Sequence, residues 1–265
     1  MNEVNNRLFI LHGCDRKVGT SMIAHSIAKM MSDKLPDKKI LMVSLNGNDD
    51  IHYSKNNGSS IESIKMKVDN NLLSVNDLET SCARDDKLYV LGGVSGTVEH
   101  RNYSPEFSLK LLEKSFEFFD IVVVDSGNEL DCGLCVGTLK AGGIPVMIMC
   151  QNQSTLIRYK KIKKLYEAIG VDFLIHVINR YYDDDPNDIS YIRSKLDLKD
   201  SEVFFTVKDE RMFSRLAEID EQIITEYRCP GFSEDIKDIV MEMLKTADVP
   251  EIKKDNTKRK FFGFM

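Results

Sequence analysis

The stretch from His12 to Ala28, HGCDRKVGTSMIAHSIA, places Gly13 and Gly19 around a short polar segment and follows them with hydroxyls at Thr20 and Ser21. Residues of these types at this spacing can bind an anion. Glycines let the chain turn tightly, and a helix that follows aims its free N–H groups and the positive end of its dipole at one point. Arg16 and Lys17 add positive charge inside the same segment, unless they merely solvate a surface loop. The strict phosphate-loop pattern G-x-x-x-x-G-K-[ST] is not met. Thr20 stands where lysine would follow Gly19, and Gly13 lies one residue too far from Gly19, which leaves two alignments open. Aligned on VGTS, Cys14 takes the first glycine position and is followed by Asp15, Arg16, Lys17 and Val18. An ordinary strand-to-helix connection would also favour glycine and a Ser/Thr cap, so the loop alone decides nothing.

The elements that would position this loop are legible as a repeated alternation. Short apolar runs at 7–11, 39–45, 87–91, 120–125, 144–150 and 172–179, with a weaker one at 202–205, are Val/Ile/Leu-rich and continuous, as strands covered on both faces require. Amphipathic segments at 20–34, 106–118, 154–170 and 233–247 separate them. In the third, Ser154 is placed to cap the start and Gly170 the end, with Leu156, Ile162, Leu165 and Ile169 near one face. The pattern predicts an α/β fold with a single doubly wound, mostly parallel sheet and helices on both faces. It forms one domain over 1–247, with 46–60 as a long surface loop and 248–265 as a polar tail. Ligands of such sheets bind beyond the carboxyl ends of the strands, where the 12–21 loop falls. The run FDIVVVDSG (119–127) ends there too, in Asp125.

Composition narrows the class. With 42% hydrophobic and 29% charged residues, the chain reads as soluble and globular, with no stretch apolar enough for a membrane span and no signal peptide, hence a cytoplasmic address. A net charge of −6 argues against a broad nucleic-acid surface. Six scattered cysteines do not make a disulfide framework. Cys132 and Cys135 have the spacing of half a zinc site but lack its other half, so buried packing on a helix is expected. His176 is expected to be a satisfied core histidine, and the basic run RYKKIKKLYE (158–167) a solvated helix face.

The loop, the VGTS element, Asp125 and the later segments around 144–167 and 171–185, taken in order, resemble the MinD/ParA group of deviant P-loop ATPases, and within it the TadZ/CpaE-like branch with a degenerate loop. The resemblance spans roughly residues 7 to 245. It implies ATP and Mg²⁺ as cofactors, with nucleotide held by residues 13–21, Asn179 and Arg180, and Mg²⁺ by Ser21 and Asp125. It also implies that Asn179 follows a strand and meets the base. The family's signature lysine falls on Asp15, its second lysine on Thr20, and the two aspartates after the second strand on Ser44 and Asn46.

These departures share a consequence. Thr20 supplies no charge to a terminal phosphate, Asp15 repels one unless a base or metal intervenes, and Asn46 lacks a charged acceptor for water. The expectation is therefore a nucleotide-binding localisation or scaffolding factor, working as a homodimer in assembly of a Tad-like pilus or other envelope machine, with weak or absent hydrolysis. An active ParA-like ATPase that partitions DNA, and a pseudo-ATPase platform that binds no nucleotide, are the alternatives. The tail, with Lys253, Lys254, Lys258, Arg259 and Lys260 beside Phe261, Phe262, Phe264 and Met265, suits an anionic membrane surface, and docking on a partner protein or packing back on the domain suits it comparably.

Overall fold

The computed structural model describes residues 5–48, 60–96 and 98–247; the tail and most of the 46–60 loop lie outside them. Every residue of β1 (Leu8–Gly13), β2 (Ile40–Ser44) and β5 (Ile121–Asp125) is buried. Continuous apolar runs become central strands because each fully buried Leu, Ile or Val contributes about 1.5–3 kcal/mol of transfer free energy, whichever face it points to. The eight strands of the described residues form one sheet in the order β3-β4-β2-β5-β1-β6-β7-β8. The remaining strands are β3 (Ala83–Asp85), β4 (Leu88–Leu91), β6 (Ile144–Met149), β7 (Ile175–Tyr181) and β8 (Val203–Lys208). All neighbours pair parallel except β3 with β4. The short antiparallel edge strand β3 has no counterpart in the sequence reading, because ARD carries no apolar run.

Helices join the strands: α1 (Thr20–Lys34), α2 (Lys65–Asp69), α3 (Val75–Thr80), α4 (Pro105–Ser115), α5 (Gly133–Leu139), α6 (Gln153–Ala168), α7 (Ile189–Leu196), α8 (Arg211–Ile219) and α9 (Pro230–Thr246). The expected doubly wound α/β sheet is therefore present. Among the described residues no helix is long and apolar enough to cross a membrane.

Three local expectations change. Gly13 closes β1 rather than opening a loop, because its register partner Ile148 extends the ladder and Cys14 N–H still donates to Ile148 O at 2.9 Å. Helix α6 begins after Asn152, not Ser154, and Leu165 is exposed; Leu156, Tyr159 and Tyr166 carry its buried face instead. Asn179 lies within β7 rather than after it, beside an irregularity at Arg180, whose φ is 55°. Gly170 does sit just beyond the helix end with φ 77°, the left-handed position that favours glycine.

Candidate functional site

Register gathers the site. Leu11 of β1 and Ser44 of β2 both stand level with Asp125 of β5, so the chain after each strand emerges on one edge of the sheet. Beyond β1 the segment 14–19 arches over that edge and enters α1 at Gly19, with φ 91° and no side-chain cap on the helix. The first-turn N–H groups of α1 therefore remain available to a ligand, with the helix dipole behind them. Lys17 holds a left-handed φ of 59°, a conformation that costs a non-glycine residue about 1 kcal/mol and is concentrated at ligand loops. Its amine makes no ion pair among the described residues.

Two close approaches fix the arch. Gly13 packs against the Thr20 hydroxyl, which a Cβ would meet at 2.5 Å, so Thr20 is folded under the loop and buried. At the other side, Asn179 Nδ2 donates to Val18 O at 2.8 Å and fills the space beside Gly19. The two residues expected to hold phosphate and base thus touch through one hydrogen bond.

At the end where the metal is expected, Asp125 is fully buried. Its Oδ2 accepts from Ser21 Oγ at 2.5 Å and from Asn46 Nδ2 at 2.8 Å, and its Oδ1 from Gly127 N–H at 2.9 Å. An aspartate at 46 would face Asp125 with like charge, whereas the amide of Asn46 donates to it. A serine hydroxyl and a carboxylate oxygen, both hard donors beside an uncapped helix N-terminus, fit Mg²⁺, which takes few protein ligands and completes its shell with phosphate and water. Ser44 Oγ is buried nearby without a partner among the described residues.

Several groups at the site escaped the sequence reading. Arg158, read there as part of a solvated basic face, donates from Nε to Cys14 O at 3.1 Å and from Nη2 to Asn128 O at 3.3 Å. The same guanidinium lies 3.6 Å from Asp15 and 3.5 Å from Glu129, so it is the base that offsets the Asp15 carboxylate. Glu129 also accepts from Arg16 Nε at 2.7 Å. Of the run's lysines, Lys160, Lys161 and Lys164 are exposed as expected, whereas Lys163 is half-buried and donates to Leu196 O and Asp197 O, both at 3.1 Å.

Beneath the arch, Ser126 gives its one hydroxyl proton to Leu11 O and so accepts from His12 Nδ1–H at 3.0 Å; His12 Nε2 then accepts from the Tyr166 hydroxyl at 2.9 Å. Burial, with Arg158 adding to it, holds the His12 pKa down to about 3, so the ring is neutral. Burial pushes the Cys14 and Cys135 thiols up, which makes them inert packing groups. Cys132 is buried as well, and among the described residues no cluster of three or more His, Cys, Asp or Glu side chains could by itself hold a metal. His176 is half satisfied: Nε2 pairs with buried Glu202 at 2.6 Å, while Nδ1 has no partner among the described residues.

Beside Val18 a cavity of about 590 Å³ opens, lined by Cys150, Gln151, Asn152, Arg180, Asp209 and Arg215 among others. Cys150 Sγ lies 3.8 Å from Val18 O, which joins the cavity to the loop. Its wall is set by buried Gln151, which donates to Tyr182 O at 3.1 Å and Asn187 O at 3.2 Å and accepts from Tyr182 N–H at 2.8 Å. Its volume falls within the range of roughly 300–1,000 Å³ found for small-molecule sites.

No protein-family model and no curated protein matches the sequence. Solved structures do. A ParA family ATPase from Chlorobium tepidum TLS superposes with a TM-score of 0.77 at 19% identity, over 91% of this chain and 99% of that one. The septum site-determining protein MinD from Pyrococcus horikoshii OT3, complexed with Mg-ADP, gives 0.69 at 11% identity, over 88% and 95%. A complex of a Cyanothece McdA variant with ATP gives 0.68 at 12%, over 94% and 99%. The chain therefore has the fold of ParA and MinD ATPases.

Proposed function

We propose that the chain is a nucleotide-binding switch of the MinD/ParA type that holds ATP with Mg²⁺ and hydrolyses it slowly or not at all. One observation carries this reading: an uncapped helix N-terminus lies between a Ser21–Asp125 pair on one side and a cavity bordered by Arg180 on the other. Phosphates would lie against the N–H groups of residues 14–21, with Arg16 and Lys17 as the loop's positive charges. Ser21 and Asp125 would hold the metal, which would neutralise phosphate charge. The base would enter the cavity next to Asn179. Thr20, buried under the loop, leaves the terminal phosphate without the lysine that phosphoryl transfer relies on for charge. Binding without efficient turnover suits a factor that changes assembly state.

Its setting is proposed on the resemblance alone: a homodimer, peripheral to the cytoplasmic face of a membrane, in assembly of a Tad-like pilus or related envelope machine, with 1–247 as the working domain and residues 248–265 contacting membrane or partner. The test is thermal unfolding with ATP, ADP and Mg²⁺, paired with phosphate release. Ligand at about 100 times its Kd stabilises by ~2.7 kcal/mol, a rise of about 5–10 °C in Tm for a chain of this size. A rise without phosphate release supports the switch. Steady turnover returns the ATPase alternative, and an unmoved Tm at millimolar nucleotide leaves an empty platform.

A further inference from the structure

We propose that Glu129 gates the loop, holding Arg16 while no nucleotide is bound and yielding it to an incoming polyphosphate. The inference rests on the nucleotide reading above. Glu129 lies in the segment that leaves β5 after Asp125, and its two carboxylate oxygens hold two different guanidinium groups: Oε1 takes Arg16 Nε at 2.7 Å, and Oε2 lies 3.5 Å from Arg158 Nη2. The two arginines are not equivalent. Arg158 is also bound to Cys14 O and Asn128 O, so it bridges both sides of the site and leaves only if the loop opens. Arg16 projects from the loop with its side chain 75% exposed, and its pair with Glu129 is correspondingly weak.

That asymmetry makes an exchange possible. Asp15 and Glu129 place two carboxylates at the mouth of the proposed anion site, and while Glu129 engages Arg16 that guanidinium is withheld from phosphate. A triphosphate offers Arg16 several acceptor oxygens and a higher charge than one carboxylate, so the guanidinium transfers to it. Glu129 then keeps Arg158 and the Asn128 amide, whose Nδ2 donates to its Oε1 at 3.2 Å. The segment 126–132, which connects Asp125 to the start of α5, loses one side-chain tie to the β1 loop while Gly13 N–H still donates to Gly127 O at 2.8 Å, and so reports the ligand to the far side of the site.

The test uses the full chain as wild type, Glu129→Gln, Arg16→Ala and the double variant. Each is titrated with Mg²⁺ and N-methylanthraniloyl-ATP, and the arginine Nε–H resonances of the ligand-free proteins are recorded by nitrogen-15 NMR. The gate requires an Arg16 Nε–H protected from exchange in the wild type and unprotected in Glu129→Gln. It requires binding about three-fold tighter in Glu129→Gln, the strength of an exposed ion pair, and no such gain where Arg16 is already alanine. An equal gain in both backgrounds reduces Glu129 to plain repulsion of phosphate and overturns the gate, as does an unprotected Arg16 Nε–H in the wild type. Failure of every variant to bind, with the resonance protected, removes the nucleotide reading and its gate together. The NMR result tells the two failures apart.

Discussion

Asn179 and Gly19 share one space: the Asn179 amide that donates to Val18 O at 2.8 Å occupies the position a side chain on Gly19 would need. With φ at 91°, Gly19 is constrained twice, by backbone conformation and by its neighbour. Gly19→Ala is expected to cost about 1–3 kcal/mol of stability and to abolish the ATP-induced rise in Tm. A variant that melts like wild type and still responds to ATP would refute this account of the loop.

Asp125 accepts three hydrogen bonds, from Ser21, Asn46 and Gly127. In Asp125→Asn an amide donor replaces one carboxylate oxygen and either faces the donors of Ser21 and Asn46 or leaves Gly127 N–H unpaired. The expected loss is about 1–3 kcal/mol, and the Mg²⁺ dependence of nucleotide binding should disappear. Calorimetric titration of nucleotide with and without Mg²⁺ decides it; retained Mg²⁺ dependence would move the metal site elsewhere.

Gln151 fixes the cavity wall through three hydrogen bonds to the 182–187 segment. Gln151→Ala leaves buried backbone groups unpaired and lets that segment drift, so nucleoside binding should weaken about ten-fold or more. Inorganic triphosphate, which does not use the cavity, should bind as before. Equal losses for both ligands would show that the cavity is not the base site.

His12 and His25 are both buried and neutral, burial holding each pKa down to about 3 from an ordinary 6.5. Between about pH 6.5 and 3 the unfolded chain binds protons that the folded chain refuses. Stability therefore falls as pH drops through that window, by up to ~1.4 kcal/mol per pH unit for each histidine, and is unaffected by either ring above it. Urea unfolding at pH 7, 6, 5 and 4 measures the slope, and His12→Gln should reduce it by the share of one ring. An unchanged slope in that variant would mean that His12 does not resist protonation in the fold.

The sequence by itself determined the parallel strands of the sheet, though not the edge strand β3, because a strand buried on both faces must be apolar at every position, and RLFIL, KILMVSL and DIVVVD are largely so. It also placed Gly19, Thr20 and Ser21 after the first such strand and Asp125 at the end of another, residues that the structure gathers at one edge of the sheet. Helix α6 shows the limit. Its periodicity pointed to Leu165 as a core residue, but Tyr166 takes that place because its hydroxyl finds His12 on β1, a pairing 154 residues apart in the chain. Arg158 and Glu129 were illegible for the same reason. A basic residue on a helix and an acidic residue in a loop are ordinary surface choices, and only the packing of α6 across the ends of β1 and β5 turns them into one network with Arg16 and Asp15. Local pattern records which face of an element is buried; which side chains meet is decided by strand order, because register sets the distance between residues that the sequence keeps far apart.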